Sequence, residues 1–128
     1  MALSIPVDAV KNSILDHIDD YLSTGSGGYA QFEATGGTNL AKITLADPAF
    51  AAATGGSMSL DTSGELTNTD CTAGTLDHLS FYTTNDTEVL DFPASTATTS
   101  AYCRVSSLTI GSGDTIEITS CKLNMNSN

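Results

Sequence analysis

Two histidines, three cysteines and fifteen carboxylates are the side chains on which this 128-residue chain could build chemistry. His17 stands among Asp16, Asp19 and Asp20 in a stretch with helical spacing. Side chains at successive helical positions diverge, and Asp20, three residues on, is its nearest partner. The group therefore reads as a solvated face. His78 alternates with Ser80 and Tyr82 along a strand, with Asp77 expected on the opposite side. A serine and a histidine two apart on a strand stand side by side, without an orienting acid or a nucleophile elbow.

The remaining candidates are weaker. Cys71, Cys103 and Cys121 are spaced by 32 and 18 residues (103 − 71 and 121 − 103). That spacing is neither a close zinc pattern nor an evident disulfide framework, so free buried thiols are expected. Glu88 and Asp91 pair carboxylates, but glycosidase chemistry needs an acid in an apolar pocket beside aromatic platforms. The chain has no Trp, four Tyr and four Phe. The run Asp61-Thr62-Ser63-Gly64-Glu65 lacks the alternating register of a calcium loop and its acid at position 12. Gly25 to Gly28 precedes a strand, and no P-loop lysine follows. No catalytic, cofactor-binding or metal-binding residues emerge, and the expectation is a protein that is not an enzyme.

The elements explain why nothing converges. A helix is expected over residues 6–22, capped by Ser4, with Pro6 in its first turn and Asp8 near the positive dipole end. Val7, Val10, Ile14, Ile18 and Tyr21 recur at three- and four-residue steps, and Leu15 and Leu22 widen the stripe. This stripe is the candidate interaction or oligomer-forming face, to be buried on the protein's own body or on a neighbour. Asp16, Asp19 and Asp20 are expected to face away from it, opposing the dipole and weakening the helix end. Residues 23–28, Ser-Thr-Gly-Ser-Gly-Gly, read as a flexible hinge.

Beyond the hinge the apolar period drops from 3.6 to 2. Strands are expected at 29–34, 40–45, 58–61, 76–83, 88–92, 101–105 and 115–125. Thr84-Asn85-Asp86-Thr87 makes a hairpin of the fourth and fifth, and the tract 95–100 is either a loop or an edge strand. No crossover helix is available for a parallel sheet. The fold class is mainly β: an antiparallel β-sandwich or jelly-roll-like domain of seven or eight strands over 29–125, preceded by one amphipathic helix. The whole chain, 1–128, reads as a single domain.

Composition supports a neutral polar skin. Charged residues are 15% of the chain, against about 25% in ordinary domains. Polarity comes instead from 19 Thr and 15 Ser. Fifteen acids against four bases (Lys11, Lys42, Arg104, Lys122) leave a formal charge of −11. Four scattered cations cannot track phosphates, which excludes nucleic acid, and they offer nothing to an anionic membrane. No segment has the roughly 20 apolar residues of a membrane span. The start Met-Ala-Leu-Ser lacks the basic region of a signal peptide, so a reduced, intracellular origin is expected. Ser and Thr lose little rotamer entropy when immobilised, which suits a surface that packs against other chains.

Three stretches carry a resemblance. They are Asp8-Ala9-Val10-Lys11-Asn12-Ser13-Ile14-Leu15-Asp16-His17-Ile18-Asp19 before a Gly-rich joint, Leu40 to Phe50 with its tail Ala51-Ala52-Ala53-Thr54-Gly55-Gly56, and Ser107 to Ser120 around Gly111-Ser112-Gly113-Asp114. In this order the chain resembles, over nearly its whole length, a family of short structural proteins of tailed bacteriophages and prophages, of the capsid decoration or cement type. Many members carry an aromatic-plus-Arg strand where this chain has Leu79-Ser80-Phe81-Tyr82, and few have three cysteines. The resemblance implies a homo-oligomer, dimer or trimer, made in the bacterial cytoplasm and placed on the virion. Its partner would be the phage major capsid protein. A tail, neck or fibre-associated subunit and an extracellular carbohydrate- or host-surface-binding module are the alternatives. If no metal is needed, dialysis against a chelator should leave the thermal midpoint unchanged; a drop that zinc or calcium reverses would overturn that expectation.

Overall fold

A computed structural model describes residues 7–23, 28–64, 66–96 and 103–125. The chain is mainly β with one helix. The helix α1 spans Asp8–Leu22, and the strands are β1 Tyr29–Ala34, β2 Asn39–Thr44, β3 Ser57–Ser59, β4 Thr67–Asn68, β5 Gly74–Tyr82, β6 Glu88–Ser95, β7 Cys103–Val105, β8 Thr109–Ile110 and β9 Ile116–Asn124.

The strands hydrogen-bond along one continuous path, β2-β1-β5-β6-β7-β9-β3, with β4 added to β9 and β8 to β5. Every pair is antiparallel except β6–β7, where Ala94 faces Cys103 in parallel. That single parallel step departs from the expected all-antiparallel sheet. The free edge of β2 is met by the chain beside β4: Thr72 N donates to Leu40 O at 2.8 Å, and Asn68 Nδ2 donates to Lys42 O at 2.8 Å. Because β4 pairs with β9, these bonds curl the sheet towards closure around one core.

The core holds Phe32, Leu79 and Phe81 from the central strands and Ile116 and Ile118 from β9, all essentially inaccessible. Phe81 meets Phe92 edge-on at 5.4 Å between ring centroids, and Phe50 at 6.1 Å. Each such side chain contributes about 1.5–3 kcal/mol relative to exposure. The period-2 pattern breaks at bulges. Pairing with β1 skips Asp77, so Glu33 lies opposite His78 and Ala34 opposite Leu76. Pairing with β7 skips Thr119, which returns Cys121 to the core side after Ile118.

That second bulge bears on the cysteines. Cys103 and Cys121 are register partners with Cα atoms 4.0 Å apart, and they form a disulfide. The expectation of three free thiols is thus corrected. Only Cys71 is free, buried, its Sγ directed at Asn68 O at 3.6 Å. Burial pushes its thiol up, which makes it a poor nucleophile.

The helix departs from its expected form in three ways. It starts at Asp8 with Val7 at the cap position and no side-chain cap; Ser4 and Pro6 lie outside the described residues. Leu15 and Leu22 are its buried apolar anchors, rather than the centre of the expected stripe. Asp16 and Asp19 face the body, not solvent. Asn12, Asp16, Asp19 and Ser23, at four-, three- and four-residue steps, line one side of the helix. Their side-chain oxygens accept the backbone N–H groups of Gly56 (2.9 Å), Ala53 (2.8 Å), Phe50 (2.9 Å) and Ala49 (3.3 Å). Residues 49–56 therefore run antiparallel to the helix, and the small side chains there let the backbones approach.

The expected hinge is also tighter than a free joint at its described ends. Ser23 caps the helix through its N–H to Asp19 O at 2.9 Å. Gly28 has φ +74°, and a Cβ there would run into the Tyr82 carbonyl oxygen. Residues 24–27 lie outside the described set.

Burial pushes the Asp19 carboxyl up, against the opposing pull of the Phe50 N–H. A carboxyl raised in this way costs stability in its charged form as pH rises above its ordinary value. The test is a pair of variants compared by urea unfolding at pH 7. Asp19→Ala strips the buried Phe50 N–H of its acceptor and should cost about 1–3 kcal/mol. Asp19→Asn keeps an oxygen there without the charge and should cost clearly less. Equal losses would show that the acceptor is not what holds the helix.

Candidate functional site

Two surface regions collect the residues singled out by sequence. The first is the outward face of α1. With Asn12, Asp16, Asp19 and Ser23 turned to residues 49–56, the candidate stripe is rotated out of the protein's own core. Val7 is 54% exposed, Val10 46%, Ile14 36% and Tyr21 52%, while Ile18 is half-buried against the core edge. They are the large exposed apolar side chains of the described residues. The stripe continues into a groove between helix and sheet, lined by Ile14, Ile18, Phe92, Pro93, Leu123 and Met125. Singly scattered exposed apolar residues are ordinary, whereas these share one helix face.

The second region lies on the outer side of β1, β5 and β6. The bulge at Asp77 turns it to the same side as His78, contrary to the expected alternation. His78 Nδ1 lies 3.0 Å from Asp77 Oδ2, and its Nε2 lies 3.8 Å from Glu33 Oε2. Glu33 is 9% exposed, and its Oε2 is buried without a hydrogen-bond partner. Asp91 adds a third carboxylate field from β6. The histidine thus has the orienting acid that alternation denied it. Ser80, two residues from His78 on the strand, is nearly inaccessible. Among the described residues no three His, Cys, Asp or Glu side chains are grouped to hold a metal ion.

Next to this cluster, Tyr29 stacks on Tyr82 with centroids 5.1 Å apart, and Lys42 Nζ sits 3.9 Å from the centre of the Tyr29 ring. The Tyr29 hydroxyl donates to Asp86 Oδ1 at 2.8 Å. Burial, and the carboxylate that accepts its proton, push Tyr29 up to about 12. These contacts fasten the β5–β6 turn, where Asp86 adopts φ 64°, to β1. His17, by contrast, is exposed on α1, with Asp16 engaged elsewhere by Ala53.

No described helix is long and apolar enough to cross a membrane. Comparison with protein families, with curated proteins and with solved structures finds no match.

The acid-flanked imidazole has a measurable consequence. The bond to Asp77, followed by the charges of Asp91 and Glu33, raises His78 above its ordinary value against the pull of burial. A raised histidine stabilises the fold fully below its unfolded pKa of about 6.5, and loses that contribution as pH rises through the folded value. Asp77 has the opposite sense: it is lowered by the His78 and Thr35 bonds, so its contribution disappears only at acid pH. NMR titration should place the His78 ring midpoint above about 6.5, and Glu33→Gln should move it down. A midpoint that ignores Glu33→Gln would mean that the two groups do not interact.

Proposed function

We propose that this chain is a virion structural protein, a capsid decoration or cement protein that binds and stabilises a shell of phage major capsid protein. The observation that carries this reading is the outward apolar face of α1, with Val7, Val10, Ile14 and Tyr21 exposed on a helix whose polar side is already committed. A buried apolar face is the usual end state of such a helix, so a neighbour is needed to cover it. The resemblance in chain order to short structural phage proteins supports a virion setting for that neighbour, which is either the shell protein or a second copy bound beside it. The Ser- and Thr-rich skin suits tight packing, since its side chains give up little rotamer freedom.

The alternatives differ in what they need. A tail, neck or fibre-associated subunit would use the same face on another virion protein. A carbohydrate-binding module needs open aromatic platforms, and the Tyr29 ring is already covered by Tyr82 and by the Lys42 ammonium. Cement proteins bridge neighbouring capsomers, so a modest binding energy per copy accumulates over the shell. The described contact face is apolar, which makes the binding only weakly sensitive to salt.

Particles purified with and without this protein should differ in survival on heating and on loss of divalent ions, the decorated ones lasting longer. Ile14→Asp together with Ile18→Asp should abolish binding to them. Equal survival, or a protein found on tails alone, would overturn the cement reading.

A further inference from the structure

The exposed positions of α1 have a spacing that points to one particular occupant. Val7, Val10, Ile14, His17 and Tyr21 follow each other at steps of three, four, three and four residues, the seam of a two-helix contact. All five are exposed. Reversing the direction of the helix about Ile14 sends Val7 onto Tyr21 and Val10 onto the neighbouring His17 and Ile18. Ile14 falls on itself. The seam is therefore complementary to its own antiparallel copy.

Charge selects the same direction. The last turn carries Asp19 and Asp20 and no basic residue, while the first turn carries one acid, Asp8. A parallel mate would lay acid-rich end beside acid-rich end and align the two macrodipoles. An antiparallel mate brings its positive N-terminal end to the acidic C-terminal half and cancels the dipoles. The seam is also self-sufficient: Leu15, Leu22 and the four oxygens facing residues 49–56 hold the helix to its own sheet, so pairing needs no detachment.

We infer that α1 pairs with α1 of a second copy in a two-fold, antiparallel contact centred on Ile14. Size sets its strength. Fifteen helical residues give a contact of about 22 Å with four side chains a side, plus Val7 at the cap position, against the 20–30 residues a side of a standard interface. The isolated dimer is accordingly weak, with a dissociation constant of about a micromolar or higher, and it fills where a surface concentrates the copies. The inference rests on reading the stripe as a contact face, and is independent of whether a capsid is what the protein decorates.

Cysteine placement tests the geometry, with the parent chain as control because Cys71 is buried and Cys103 and Cys121 are bonded. Under mild oxidation of the full chain, Ile14→Cys should cross-link to itself. Val7→Cys and Tyr21→Cys should not do so alone but should cross-link when mixed. Sedimentation of the parent should show a concentration-dependent dimer, weakened at least about 10-fold by Val10→Asp, a more exposed seam position, at a temperature where the variant stays folded. Self-linking of Val7→Cys as efficient as that of Ile14→Cys would replace this arrangement with a parallel one. A parent that stays monomeric at millimolar concentration with no Ile14→Cys cross-link would overturn the pairing. A dimer that leaves particle stability untouched would remove the capsid function and keep the pairing; a monomer that stabilises particles would do the reverse.

Discussion

Four backbone N–H groups, those of Ala49, Phe50, Ala53 and Gly56, find their acceptors on the helix, and the shape of the molecule follows from that. A buried amide without an acceptor costs more than most single apolar contacts return. Residues 49–56 contribute Phe50 to the centre of the core and lead into β3, the far edge of the sheet path. The helix therefore accepts the N–H groups on one side of this segment, while on the other side Ala51 N donates to Ser59 O and Thr54 N to Ser57 O, each at 2.9 Å. Leu15 and Leu22 complete the attachment with apolar area, but the direction of the helix about its own axis is set by the oxygens.

That rotation links the fold to the surface it presents. If the apolar residues had governed docking, Val10, Ile14 and Ile18 would have been turned inward and the acids outward. Asp16 and Asp19 are turned to the amides instead, while Asp20 stays exposed, and part of the apolar complement is left facing solvent. An arrangement of this kind leaves Val7, Val10, Ile14 and Tyr21 facing solvent. The burial of Asp19 shows the cost accepted for it: its carboxyl is raised by desolvation and sits beside Asp16 and Asp20.

Much of this was legible from residue order. β1 occupies the expected Tyr29–Ala34, α1 ends at the expected Leu22, and the turn around Asn85 and Asp86 does form a hairpin. The failures have identifiable physical causes. A bulge inserts one residue without altering composition, so alternation assigned Asp77 to the wrong side and left Cys121 out of phase with Ile118. The disulfide depended on that phase and on a strand order with β7 beside β9, neither of which spacing reveals. Two-residue strands such as β4 and β8 carry no period at all. At the helix, Asn12, Asp16, Asp19 and Ser23 already stood at steps of four, three and four. That signal is polar, and apolar periodicity does not register it.

The helix and the segment it holds carry unequal amounts of information. On the helix side an oxygen is required at each of four positions, so a change of residue type there changes the bond. On the other side the donors are main-chain groups, which every residue except proline possesses. Ala51 and Ala52 are exposed and can vary widely within the limit of bulk, whereas Asn12, Asp16 and Asp19 have few substitutes. A lineage of such chains would drift quickly at exposed positions such as Ala51 and Ala52, and slowly at the buried Ala49, Phe50 and Ala53 and along one polar edge of the helix. The outward seam would drift at a third pace, set by whatever surface it meets rather than by the fold.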